Sequence, residues 1–387
     1  MLLREGYRLF FPWAALLGLA SIGAWAHGLG GGSLPFAPAQ HAALLLFGAW
    51  GALVLGFLMT AFPRQSGGPM PKGWQIVGML ALHAISLAAV LLPSNGVGRA
   101  VVIAAPWALA TVGAARLALP ALGRGFDGTT AGVPAGIAAA TVAAFLFGLG
   151  ETALALRLAT HGFLVYVALV MLDRILPFFT ARALAGSDPQ RRPGFAAALG
   201  AATLLRVAVP EHPYLGDIAL LGLVLRQWLG WRPWPSSRLP MIGGIHLGVA
   251  WIVAGYVVDL AGVGPPSLPM HFWLLGGLGS FWAALSIRVT RGHGGLPILM
   301  RWDGALIVGL VQLATVLRIG AAFAPSGGGA FGAFGTLGNA GFVFFSAGGA
   351  AWGATLRFCS PKPTSPRPIS TSFASGSHGS GRPQRSK

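Results

Sequence analysis

The chain has 387 residues, of which 55% are hydrophobic and 9% charged, against roughly 25% charged in an ordinary soluble domain. That composition excludes a soluble globule, and the apolar residues fall in long blocks between short polar breaks, which excludes a low-complexity chain despite 59 glycines and 28 prolines. The 26 lysines and arginines against 9 acidic residues, a formal charge of +17, admit either a nucleic acid partner or the basic cytoplasmic loops of a membrane protein.

A crossing of the hydrocarbon core takes about 20 mostly apolar residues, so the blocks predict an all-α polytopic membrane protein of about twelve transmembrane helices. In chain order they lie near residues 10–28, 41–62, 73–93, 99–119, 132–151 and 158–180. The second half follows with 193–210, 213–229, 240–262, 268–289, 302–323 and 335–356. The membrane domain thus covers 1–358, and 359–387 reads as a basic cytoplasmic tail too poor in apolar residues to fold. Arg4 and Arg8 before an apolar run ending Ala24-Trp25-Ala26 also fit a cleaved leader, which would leave every later helix unchanged in orientation.

Sorting the basic residues by side decides between the two explanations of the charge. On the side of the N-terminus and the even-numbered loops there are 21, including Arg64, Lys72, Arg182, Arg191, Arg192 and Arg301; the other side has two, Arg99 and Arg157. Both termini are therefore expected to be cytoplasmic, with the lipid bilayer as partner and no nucleic acid. Arg174, Arg206 and Arg318 stay inside the apolar blocks, without a topological reason. Cys359 is the single cysteine, so neither an intrachain disulfide nor a cysteine-based zinc site is open to the chain.

Helices 2, 6 and 10 can be laid over one another. His41, His161 and His271 each precede a threonine by 19 residues (Thr60, Thr180, Thr290), and a basic residue follows as Arg64, Arg182 or Arg291. Nineteen helical residues rise about 28 Å, close to the hydrocarbon thickness, so the histidines share one depth near the outer face. Recurrence every four spans suggests a threefold pseudo-repeat of four-helix units. A lone intramembrane histidine is usually a hydrogen-bonded packing residue, whereas two or three at one depth on facing helices are what an iron porphyrin needs. His41 and His271 are the preferred haem-ligating pair, with His161 the third candidate at that depth. Arg206 and Arg318, toward the outer ends of their helices, are candidate partners for haem propionates; the alternative is an ion pair with Glu151, Glu211, Asp217 or Asp259. Asp173 and Arg174, adjacent on helix 6, each need a partner on another helix. Gly276-Gly277-Leu278-Gly279 reads as close helix packing and not as a phosphate loop.

Four stretches resemble the NnrS-like membrane proteins. They are Gly6-Tyr7-Arg8-Leu9-Phe10-Phe11; His41 through Gly56-Phe57-Leu58-Met59-Thr60-Ala61-Phe62-Pro63; Arg174-Ile175-Leu176-Pro177-Phe178-Phe179-Thr180-Ala181-Arg182; and Ile245-His246-Leu247-Gly248 with His271 through Arg288-Val289-Thr290-Arg291-Gly292-His293-Gly294. The resemblance implies a multi-pass protein of the bacterial inner membrane that binds haem and copper and acts in the response to nitric oxide and nitrosative stress. A second metal is then expected near His246 and His293, which match family positions. There is a departure: the family's second helix often begins His-x-His-Glu, and here only His41 remains, with Ala43 and Leu44 in the later places. The four-span recurrence is also similar to the helix arrangement of haem-copper oxidases, whose helices 2 and 10 hold a low-spin haem, but helix 7 here has no histidine for their copper centre. The chain's redox partner and any catalysed reaction stay open. A cofactor-free secondary transporter using His83, Asp173 and Arg174, and a scaffold for metal-centre assembly, are the rival expectations.

Overall fold

The computed structural model describes residue 3 and residues 5–323 except 30–31, 34, 124–127, 185–188, 238 and 294–299. The twelfth predicted helix at 335–356 and the tail at 359–387 lie outside the described residues. The first six helices are α1 (Tyr7–Leu29), α2 (Pro38–Ser66), α3 (Gly73–Leu91), α4 (Val97–Leu122), α5 (Gly128–Leu149) and α6 (Thr152–Ala183). The remainder are α7 (Phe195–Ala208), α8 (Pro213–Gly230), α9 (Pro240–Leu260), α10 (Leu268–Val289) and α11 (Trp302–Ala322). Prolines open α2, α8 and α9 in the first turn, where a missing N–H costs nothing. Gly67 ends α2 with φ 67°, the left-handed conformation that favours glycine.

Among the described residues nine helices are long and apolar enough to cross a membrane, so the chain is a polytopic all-α membrane protein. The two helices outside that set are α7 and α8. At 14 residues α7 rises only about 21 Å, short of the roughly 30 Å hydrocarbon core. Consecutive helices pack as neighbours: α1 on α2, α3 on α4, α4 on α5, α5 on α6, and then α7 through α11 in succession.

Three helices occupy the middle. The apolar window of α2 is 78% buried, that of α6 83% and that of α10 72%, against 28% for both α1 and α11. These are the helices whose sequences fall into register. α2 touches α6, α6 touches α10, and Phe57 of α2 meets Trp282 of α10 edge-on at 6.3 Å. A narrow apolar cavity between them is lined by Val54, Phe57, Leu164, Met171, Phe281 and Trp282. Each of the three also departs from α-geometry over about two turns: Leu44–Trp50, Leu158–Val165 and His271–Leu278 are π-helical. The extra residue per turn throws backbone carbonyls off the usual ladder, and in hydrocarbon each needs another donor. His83 of α3 donates from Nε2 to the Phe47 carbonyl at 2.8 Å, and Ser280 donates to the Gly276 carbonyl at 2.5 Å.

Glycine in and beside these segments admits large rings. Trp107 of α4 lies over Gly51, where an added methyl would stand 2.6 Å from the indole; Trp251 of α9 lies over Gly276, where the separation would be 2.7 Å. Gly51→Ala and Gly276→Ala are each expected to lower stability by about 1–3 kcal/mol through overpacking. Gly222→Ala on α8, whose added carbon meets nothing within 4 Å, should change it by no more than about 0.5 kcal/mol or raise it. Thermal unfolding in detergent, followed by circular dichroism, measures all three.

Candidate functional site

The candidate site is the end of the bundle at which α2, α6 and α10 begin. His41 lies in the first turns of α2, its ring stacked against Trp25 of α1 at 4.5 Å and 19° and against Phe36 at 6.1 Å and 13°. Its Nδ1 shares a hydrogen bond of 3.3 Å with the Ser21 hydroxyl of α1. His271 begins the π-helical segment of α10. Its Nδ1 is 2.8 Å from the Ser267 carbonyl, so Nδ1 carries the proton, and Nε2 accepts from Nε of Arg318 at 3.1 Å. Arg318 and His41 both lie close enough to His271 to act on it electrostatically, and Arg318 likewise acts on His41. The two histidines matched by depth are therefore within electrostatic reach of each other and of one arginine, which bonds His271.

His161 is at the same end but in different company. It is 3% exposed, edge-on to Trp273 of α10 at 4.5 Å and tilted to Tyr256 of α9 at 6.1 Å. Arg206 stands over the other part of this layer, its guanidinium 5.3 Å from the Trp273 ring. It does not await a propionate: Nε lies 2.5 Å from Asp217 of α8, and an Nη atom pairs with Asp259 of α9. The ion-pair alternative is what the fold holds for Arg206, while Arg318 has no carboxylate partner among the described ion pairs.

The remaining polar candidates serve as ties between helices. His246 accepts from Trp228 Nε1 on Nδ1 at 3.0 Å and donates from Nε2 to Ser236 Oγ at 2.5 Å, which passes its own proton to the Arg232 carbonyl. His83 has the same pattern, accepting from Trp13 at 3.1 Å and donating to Phe47. Both nitrogens of each ring are taken, which is how a packing histidine is satisfied. Asp173 accepts from Gln227 at 2.8 Å and Trp231 at 3.3 Å and lies 3.6 Å from Arg191, whereas Arg174 reaches the Gln65 carbonyl at 3.4 Å. His83, Asp173 and Arg174 thus each take part in a separate tie between helices. Among the described residues no three His, Cys, Asp or Glu side chains converge as a metal site. His293 ends its helix, and its side chain lies outside the described residues.

Sequence reasoning missed Ser21, Trp25, Tyr256 and Trp273. Counting depth inward from the shared end would have placed Ser21 and Trp25 level with His41, and Trp273 follows His271 by two residues; nothing in the sequence shows which way each side chain turns.

If His246 is a packing residue, His246→Phe leaves the Trp228 N–H without its acceptor and Ser236 Oγ without its donor and should cost about 1–3 kcal/mol of stability. The metal and haem content of the purified variant, measured by mass spectrometry and pyridine haemochrome assay, should equal that of the parent.

No curated protein matches the chain. The family described as NnrS protein matches residues 1–356. That span takes in α1 through α11 and with them both members of the histidine pair, Arg318, and the Arg206 ion triad. The chain belongs to the NnrS family.

Proposed function

We propose that this NnrS-family protein binds haem between His41 and His271 and acts in the cell's response to nitric oxide and nitrosative stress. The observation that carries this reading is the state of the two imidazoles. Each engages Nδ1 with an oxygen of the protein, Ser21 Oγ or the Ser267 carbonyl. Metal-ligating histidines are held in this way through one nitrogen. Nε2 of His271 accepts from Arg318, so that nitrogen is open to iron in exchange for the guanidinium, which is then released toward a propionate. Arg318, within electrostatic reach of both rings, has the planar donor fork suited to a propionate. Trp25 and Phe36 shield the His41 ring from lipid and water. A bound haem would supply the redox-active iron that nitric oxide chemistry uses. The chain's own residues orient the ligand nitrogens, neutralise a carboxylate and keep the site dry.

Copper does not fit the described residues equally well. His246 has no free nitrogen and no three-ligand cluster converges, so no step is routed through copper. The architecture proposed with this function has twelve helices in three four-helix units, α1–α4, α5–α8 and α9–α11 with 335–356. The π-helical segments and the greatest burial, both recurring every four helices, support it. The basic-residue asymmetry supports an inner-membrane protein with cytoplasmic termini and the histidine end facing outward.

Purified from haem-sufficient cells, the protein should show low-spin haem bands, lost in His41→Ala and in His271→Ala and retained in His161→Ala. A colourless preparation would overturn the reading, and spectra unchanged in both ligand variants would overturn the pair. Arg318→Leu should keep the bands and shift the haem midpoint potential, because the propionate loses its cation.

A further inference from the structure

The cluster behind Trp273 has chemistry that a haem pair does not account for. Arg206 of α7 is the single cation shared by two acids, Asp217 of α8 and Asp259 of α9. Its side chain is 7% exposed, that of Asp217 3% and that of Asp259 30%. With both acids ionised the buried triad would carry a net negative charge. One proton shared between the two carboxylates would cancel it. The exposure is graded. Asp259, at the last turn of α9 beside the exposed segment 261–267, is partly exposed, and Asp217 is not.

On the inner side of the triad stand three polar atoms without a hydrogen-bond partner among the described residues: Tyr256 Oη, Trp273 Nε1 and His161 Nδ1. All three side chains are at least nine-tenths buried. Their rings form one group, with Tyr256 5.3 Å and His161 4.5 Å from Trp273 and 6.1 Å from each other. Tyr256 is within electrostatic reach of Arg206, Asp217 and Asp259, and His161 of Arg206. One donor, one acceptor and a hydroxyl able to do both are the set that a single ordered water satisfies, since internal waters make about three hydrogen bonds.

We propose that Arg206, Asp217, Asp259, Tyr256 and His161 form a proton-exchange site. It takes a proton at Asp259, shares it with Asp217, and exchanges it through Tyr256 with a bound water whose remaining hydrogen bond His161 accepts. The transfer moves protons only: an O–H bond breaks at the carboxyl, another forms on the water, and no electrons change hands. The destination is at the depth of His41 and His271, so the site would feed protons to chemistry in that layer. It requires no cofactor, and its failure is separable from that of the haem reading.

The test is infrared difference spectroscopy of the full chain in nanodiscs, with and without haem, stepping the buffer from alkaline to acidic. The expected signal is a protonated-carboxyl band that shifts on carbon-13 labelling of aspartate and disappears in both Asp217→Asn and Asp259→Asn. Tyr256→Phe and His161→Gln should each shift that band and slow its hydrogen–deuterium exchange several-fold. Should the asparagine variants fail to fold, the isotope shift in the parent and the altered band position in Asp217→Glu carry the same decision. A parent without a titrating carboxyl band, or one insensitive to aspartate labelling, would overturn the proposal. So would exchange that neither Tyr256→Phe nor His161→Gln alters, which leaves a purely structural ion triad.

Discussion

In hydrocarbon no water is on hand to satisfy a backbone group that leaves the helical ladder. Yet α2, α6 and α10, the helices furthest from lipid, each contain a π-helical segment. That departure sets requirements on everything packed around them. The Phe47 carbonyl needs His83, so α3 must lie against α2; His83 in turn needs the Trp13 indole, which ties in α1. Gly276 accepts from Ser280, whose oxygen accepts from Gln312 of α11, and Gln312 accepts from Trp251 of α9. The chain of donors runs from the centre outward and fixes the order of the surrounding helices. The widened turns also lie where the histidines are: His161 and His271 are inside theirs, and His41 is three residues before the first.

Charge is handled by the same logic. The intramembrane arginines have different answers because their neighbours differ. Arg206 is locked by two carboxylates from two further helices, Arg174 caps a carbonyl at the end of α2, and Arg318 bonds an imidazole. The imidazole is a neutral acceptor and leaves most of the Arg318 charge uncompensated, whereas two carboxylates neutralise Arg206. Arg206 contributes instead to a carboxylate pair and orphaned polar groups one layer away. The histidine end thus contains two distinct chemistries: paired imidazoles beside one cation, and a buried acid pair beside a tyrosine and a third imidazole.

The sequence alone determined where the described helices lie, though not that α7 and α8 fall outside the span-length set. The spans expected at 240–262 and 302–323 appear as Pro240–Leu260 and Trp302–Ala322, and the registered helices 2, 6 and 10 are the central ones. Apolar length against membrane thickness and a constant rise per residue suffice for that. Rotation about each helix axis was not legible. Lipid and protein interior are equally apolar, so an amphipathic stripe does not say which face turns inward, as it does in a soluble bundle. Only the tertiary structure decided that His41 and His271 share Arg318, that His161 stands behind Trp273, and that Arg206 belongs to Asp217 and Asp259. Each of those pairings depends on which way a side chain leaves its helix and on small residues that let neighbours approach, and neither is written in hydropathy.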